Sequence, residues 1–408
     1  MTEIVIDNFR DARDAYRQKD LRQGLYDAGA VVMDSVLVNL HGDEHRRRRR
    51  QENRIFRRDT FQHYERDQFP GIVERTLAPH LAARHTELVH FGHALMLNLA
   101  AVTAGVDRPR GDAEETARLH TYVGYFIEGA TLAHSTRDRA ERSTVIAEQV
   151  QAWREEFLKP SIDRRRGLLD QVAAGTAGES VLPRDILTTL MRHGDELGLT
   201  DDVMAREVAF FLLAGAHTSA TAFVRTIDHA LSWVEEHPED LRRLAEDRLF
   251  VQRCVHETIR LNPSSPVGVR RALADITLRS GLHIPEGSRV VIDLMRVNRD
   301  PEIFGDSADT FDPNRTTPDG IGPFGLSFAA GMHVCIGQDL AAGLVVQDDP
   351  GDSHLFGLVP VAVQRMFRAG VRRDPQNPPE RDRSTARPYW SSYPVLFGGP
   401  TAQTDEER

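Results

Sequence analysis

Cysteine is scarce in this chain: there are two in 408 residues, Cys254 and Cys335. At most one disulfide could form, and a reducing compartment disfavours even that, so a disulfide-stapled scaffold is excluded and each cysteine needs its own explanation. Long apolar runs are missing too. None approaches the roughly 18 residues needed to span a bilayer. Residues 1–14 carry charges throughout and lack the apolar stretch of a signal peptide. These absences predict a cytoplasmic protein without a membrane anchor. There is no basic excess either: the net charge is −10, which argues against general nucleic-acid binding. The local exception is His45, followed by five arginines, Arg46, Arg47, Arg48, Arg49 and Arg50.

What is present suits a globular protein with a real core: 40% hydrophobic and 27% charged residues. The length fits two or three ordinary domains or one large one. The first 260 residues read mostly as helix, with segments at 11–17, 44–56, 61–83, 85–103, 112–132 and 138–157, and a Gly/Ala/Ser loop at 173–180. Thr200 is a good N-cap, and Asp201 and Asp202 suit the positive end of a helix. That helix is predicted to run unbroken to about Glu236, on the order of 50 Å. Residues 208–216 are apolar on almost every side, which predicts burial all round. Beyond residue 265 short β-like runs appear, at 267–269, 276–278 and 289–294. A patternless region, 298–328, then leads to Cys335. No internal repeat is found.

Three local patterns carry chemistry. Phe328-Ala-Ala-Gly331-Met-His333-Val-Cys335-Ile-Gly337 places a cysteine in a tight loop opening onto a predicted helix, 338–344. Two glycines allow the backbone such a loop needs, and a helix N-terminus beside Cys335 favours a thiolate, the form that binds haem iron. Average residue usage gives the spacing Phe-x-x-Gly-x-x-x-Cys-x-Gly roughly one chance match per thousand chains of this length; the rival reading is a small, unreactive core cysteine, the reading given to Cys254. Glu257 and Arg260 stand three apart on one helix face and can pair, as solvated helix residues often do. Gly215, Ala216, His217 and Thr218 lie in mid-helix. Glycine weakens a helix there by about 1 kcal/mol, which suggests the close approach of something.

Taken together, the cysteine loop resembles that of the cytochrome P450 family, which reads Phe-x-x-Gly-x-His/Arg-x-Cys-x-Gly. Only Ala329 departs, where glycine is more usual. The resemblance covers nearly the whole chain. It implies a mainly α fold with small β-sheets, with haem b held between a long central helix and the cysteine-ligand loop, as a single domain over 1–400 followed by a polar tail, 401–408. By resemblance, Cys335 is the axial thiolate ligand to the haem iron, and Phe328 and Gly337 complete its loop. His333, His45, Arg49 and Arg270 serve the haem propionates, with Arg271 as Arg270's rival. Glu257, Arg260 and Arg315 (in Phe311-Asp-Pro-Asn-Arg315) fill the places of a buried structural cluster, and residues 298–301 also resemble the family. Gly215 would open a groove for dioxygen, and Thr218 would take part in proton delivery. His217 stands where Asp or Glu is usual, as in the family's sterol-demethylating members. It is either a proton relay or a core histidine satisfied by a carbonyl.

The resemblance implies a monooxygenase that inserts one atom of O2 into an apolar small molecule. Electrons would come from NAD(P)H through a reductase and a ferredoxin or similar acidic donor, docking on the basic helix; no nucleic acid or membrane is implied. Two other readings are a non-catalytic haem-binding module and a peroxide-driven haem-thiolate enzyme. The expected pocket walls are 31–38, 213–217, 267–269 and 390–393. Both ends depart from the family pattern: the early helix and strands read as missing or shortened, and Gln347-Asp-Asp-Pro-Gly351 interrupts the helical pattern that resumes over 361–369.

Overall fold

The computed structural model describes residues 2–132, 138–345, 351, 353–383 and 389–398. The chain is mainly helical with small sheets. Its helices begin where short polar side chains accept otherwise unsatisfied backbone N–H groups. Asn8 starts Phe9–Arg17 by accepting from Asp11 N at 2.9 Å. Asp112 starts Ala113–Ala130 by accepting from Glu115 N at 2.7 Å. Thr200 starts the central helix, Asp201–Glu236, by accepting from Val203 N at 3.3 Å. That helix has 36 residues and is about 54 Å long.

Several predicted boundaries move. Residues 61–83 belong to a helical run beginning at Arg58 and passing through a π-helical turn, His63–Gln68. Arg84 takes a left-handed conformation (φ 62) and ends that run. Residues 85–87 are therefore not helical: His85–Glu87 is a strand paired with Pro394–Leu396, and Glu87 caps the helix Leu88–Ala104. The segment expected to end at Phe157 continues through a second π-helical turn, Arg154–Leu158, into Lys159–Ala173. The helix after Cys335 stops early, at Gln338–Ala342, because Gly343 turns left-handed (φ 78). Most of the predicted interruption at 347–351, and the tail 401–408, lie outside the described residues. The next helix is Leu358–Arg368.

Of the early helix and strands expected to be missing or shortened, the structure places strand Glu3–Ile6, helix Phe9–Arg17 and strand Leu21–Gln23 ahead of the basic helix. Both strands join the main sheet, in which Arg289–Asp293 and Val267–Ala272 pair antiparallel at the centre. Glu3–Ile6 adds parallel on one side and Leu21–Gln23 antiparallel on the other.

Three apolar clusters form the interior, and the central helix joins two of them. Its first half, Ala205 to Ala216, packs with Phe126, Trp153 and Leu190. Its second half, Ala220 to Leu231, packs with Phe91, Phe250 and Val363. Between these halves lie His217, Thr218 and Ser219. The third cluster joins Phe9, Val290, Ile292 and Leu326, with Ala329 and Ala330 packed against it. The central helix also meets the composition of a membrane span, but most of its apolar window is buried inside the protein.

Candidate active site

The expectation that residues 208–216 are buried all round fails on one face. Phe210, Leu213, Ala214, His217 and Thr221 are half-buried and Thr218 is exposed. Their spacing is that of one helical stripe, so the central helix leaves a strip of its surface uncovered in mid-molecule. Thr218 donates to Ala214 O at 2.6 Å. Gly215 points elsewhere: a Cβ added there would meet Ala100 Cβ at 3.2 Å, on the helix Leu88–Ala104. The close approach read from this glycine is that of a neighbouring helix.

The cysteine loop is closed by Cys335 N–H donating to Phe328 O at 2.8 Å. Phe328 packs edge-on against Phe324 at 4.9 Å. Gly331 adopts φ 69, and a side chain there would collide with the backbone of Tyr16 on the first helix. Gly337 has an ordinary φ of −92, so of the two glycines only Gly331 is needed for its conformation. Ala329 is the other left-handed residue, at φ 59. Cys335 is exposed, yet enough protein surrounds it that burial is the leading influence on its thiol and pushes it up; backbone N–H groups of Gly337 and Gln338 and the charge of Arg49 oppose this. Cys254 is fully buried, with its thiol pushed far up by burial, as expected of a core residue.

Helix Gly42–Glu52 sorts its basic residues by helical phase. Arg46, Arg47 and Arg50 face solvent, whereas His45, Arg48 and Glu52 are buried. Arg49 donates to Val334 O at 2.7 Å, in the cysteine loop. His45 and His333 stand with ring centroids 4.5 Å apart, and His41 and His333 with centroids 6.4 Å apart. Burial holds His45 down to about 4, aided by Arg49 and His41. Burial first, then His45 and Arg270, hold His333 down to about 3. Arg270 is buried, donates to Gln23 Oε1 at 2.8 Å and stacks over Tyr16 at 4.8 Å. Its rival Arg271 lies on the other strand face, 4.0 Å from Asp27. Both ring nitrogens of His45, Nε2 of His333 and Nδ1 of His41 are buried without a partner among the described residues. Buried polar atoms need partners, and these four, beside Arg49 and Arg270, call for an anionic acceptor from outside the chain. Haem carboxylates fit that demand. His41, four residues before His45, was not singled out from sequence, although that spacing could have found it.

Arg48, unlike Arg46, Arg47 and Arg50, does not face solvent: it pairs with Glu207 of the central helix at 2.7 Å, both side chains being buried. Glu207 also accepts from Leu37 N at 3.0 Å. The predicted cluster forms beneath the loop. Arg260 makes two 2.7 Å contacts to Glu257, and Arg315 reaches the same carboxylate at 3.0 Å. Arg260 also donates to Asn298 O and Ala308 O, and Arg315 to Phe304 O and Ser307 O. Two arginines thus fasten the patternless region 298–328 to one helix. His217 is half-buried and stacks on His93 at 5.8 Å. Of the expected pocket walls, Val32, Met33, Val36, Leu37 and Tyr393 are core residues, while Val31, Val38, Val267 and Trp390 remain partly open.

A family model described as Cytochrome P450 matches residues 143–343. Pulcherriminic acid synthase of Bacillus subtilis (strain 168) is 28% identical over 323 residues, 77% of this chain and 72% of that protein. Steroid 17-alpha-hydroxylase/17,20 lyase of Squalus acanthias is 33% identical over 172 residues, but the match spans only 32% of its length. Among solved structures, P450BioI in complex with hexadec-9Z-enoic acid ligated acyl carrier protein superposes with a TM-score of 0.71 at 20% identity, over 97% of this chain and 92% of that one. CalO2 gives 0.72 at 20% identity, over 97% and 90%. The chain belongs to the cytochrome P450 family and has its fold. The family's cofactor is haem b with an axial cysteine thiolate.

Proposed function

We propose that this protein is a cytoplasmic monooxygenase that inserts one oxygen atom of O2 into an apolar organic substrate. Electrons come from NAD(P)H through a reductase and a small acidic donor such as a ferredoxin. Cys335 would supply the thiolate that holds the haem iron. His45, His333, Arg49 and Arg270, joined by His41, hold the haem carboxylates. When bound, haem supplies the activation of dioxygen. The protein's own residues do the rest. Gly337 and Gln338 N–H groups and Arg49 stabilise the thiolate. The open stripe of the central helix would form a wall of the substrate site, and Thr218 presents a hydroxyl there for proton transfer. Arg46, Arg47 and Arg50 offer a basic face to an acidic donor.

The observation that carries this reading is the conjunction of an accessible cysteine with a cradle of histidine nitrogens lacking any acceptor among the described residues. In the test, the reduced, carbon-monoxide-bound protein is examined for the red-shifted absorbance band of thiolate ligation. The native protein shows the band and Cys335→Ser loses it. A mutant that kept the band would reassign the ligand. Oxygen consumption with donor, NAD(P)H and candidate substrates then separates the monooxygenase from a non-catalytic haem module; turnover supported by hydrogen peroxide alone would mark a peroxide-driven enzyme.

A further inference from the structure

We propose that His217, His93, His120 and His90 form a proton-conducting string from the middle of the central helix to the protein surface. The inference rests on the monooxygenase reading and deepens it, because oxygen insertion consumes protons that the enclosed site must draw from bulk water. His217 precedes Thr218 in the uncovered stripe. Its ring lies 5.8 Å from that of His93 and within 20° of parallel to it. His93, on the helix Leu88–Ala104, lies 5.4 Å from His120 on the helix Ala113–Ala130. His90 is three residues before His93 and so on the same helical face. Exposure grows along the series: His217, His93 and His120 are half-buried and His90 is exposed. Imidazoles at these separations exchange a proton through one bridging water.

Such a string is an expensive way to pack helices. Burial and three other histidines hold His93 down to about 3, and burial and His90 push His120 down. The influences on both rings are burial and other histidines, with no carboxylate among them. Beyond His217 lies Tyr389, edge-on at 6.1 Å, with Arg225 over the tyrosine ring at 5.0 Å. His93 and His120 are therefore neutral at neutral pH, and each carries one donor and one acceptor nitrogen. A proton passes by hand-over. Each ring gives up the proton on its inner nitrogen as it takes one on its outer nitrogen, and a tautomer exchange resets the string. One proton enters at His90 or His120 for each one delivered beside Thr218. No electrons move along the string; they come from the redox partner.

The test uses haem-loaded protein with His93→Phe, His93→Gln and, on the other helix, His120→Phe. Gln keeps the hydrogen bonds and polarity but cannot relay. All three are expected to keep the carbon-monoxide band, substrate affinity and melting temperature near native. Turnover should fall at least about tenfold, with a larger solvent isotope effect and more hydrogen peroxide per NAD(P)H oxidised. His283→Phe, off the string, should change none of these. A second readout needs no turnover. The ring-nitrogen NMR signals of His217 and His120, recorded in the diamagnetic carbon-monoxide form or in haem-free protein if none binds, should shift when His93 is replaced. Native turnover, coupling and isotope effect in His93→Phe and His120→Phe would overturn the string while leaving the monooxygenase reading intact. Restoration by His93→Gln would overturn it too, in favour of simple packing. Should the native protein bind no haem, the monooxygenase reading fails on its own, and unchanged His217 and His120 signals in His93→Phe would overturn the string separately.

Discussion

Ala329 holds a left-handed conformation, φ 59, in the loop that carries Cys335. For a residue with a Cβ this costs about 1–2 kcal/mol. Glycine removes that cost but loosens the unfolded chain by about 0.4–1 kcal/mol. Ala329→Gly is therefore expected to stabilise the protein by up to about 1 kcal/mol, read as a higher urea midpoint; a lower midpoint would show that the alanine methyl contributes packing that outweighs the strain. Glu257 is the opposite case, since its carboxylate receives Arg260, Arg315 and the N–H of Asp312. Glu257→Ala leaves two buried guanidinium groups uncompensated, at a cost of about 3–5 kcal/mol, and should give little haem-loaded protein. Normal haem content and urea midpoint would refute the burial argument. These residues were legible in the sequence because each motif spans a few positions of chain. Arg48 and Glu207 were not: they stand 159 positions apart, and nothing local distinguishes Arg48 from its four arginine neighbours. His93 and His120 escaped for the same reason.

At the scale of elements, the contact between the basic helix and the central helix has its own pH dependence. Glu207 is pushed up to about 7 by burial, against the opposing pull of Arg48 and the Leu37 N–H. Burial and Glu207 push Glu52 well above the ordinary 4.5, against Arg48 and Arg49. Both oxygens of Glu52 lack a hydrogen-bond partner among the described residues. In the folded state the pair therefore keeps a proton that the unfolded chain releases. Its contribution to stability is full below about pH 4.5 and is lost as the pH rises through about 7. Urea midpoints measured between pH 6.5 and 8 should fall for the native protein and fall less for Glu52→Gln; equal slopes would mean that the two helices do not share a proton. Gly215→Ala probes the other face of the central helix. The gain in helix propensity of about 1 kcal/mol opposes a tight contact with Ala100, so stability should change by less than about 1 kcal/mol and turnover should survive. Collapse of turnover with unchanged stability would support the groove role that the resemblance implies. Helix existence was legible from periodicity and caps. Helix ends were less so, because Arg84 and the two π-helical turns break no composition rule.

Across the whole molecule, the helices and the small sheets meet at the haem loop through a few buried polar anchors, which sets how the protein fails in acid. His256 donates to Ala342 O at 2.8 Å, and Gln252 reaches Ala342 O and Leu344 O at 2.9 and 3.1 Å. These bonds tie the helix Arg248–Leu261 to the segment following Cys335. The sequence patterns named both segments but could not show their contact, which spans 86 positions. Burial holds His256 down to about 4, although its bond to Ala342 opposes this. In the unfolded chain the same ring titrates near its ordinary 6.5. The unfolded state therefore binds the proton first. The stability that His256 contributes is present above pH 6.5 and is lost as the pH falls towards 4. At about 1.4 kcal/mol per pKa unit, the full loss is on the order of 3 kcal/mol. His93, held down to about 3 by burial, acts in the same direction. The acid limb of the stability curve should therefore be steep between pH 6.5 and 4, with haem release accompanying unfolding because the anchored segment carries the ligand loop. His256→Gln keeps a donor for Ala342 O and removes the titration. It is expected to move the midpoint of acid unfolding, followed by the haem absorbance and by circular dichroism together, to lower pH. An unmoved midpoint would show that the acid sensitivity lies elsewhere in the molecule.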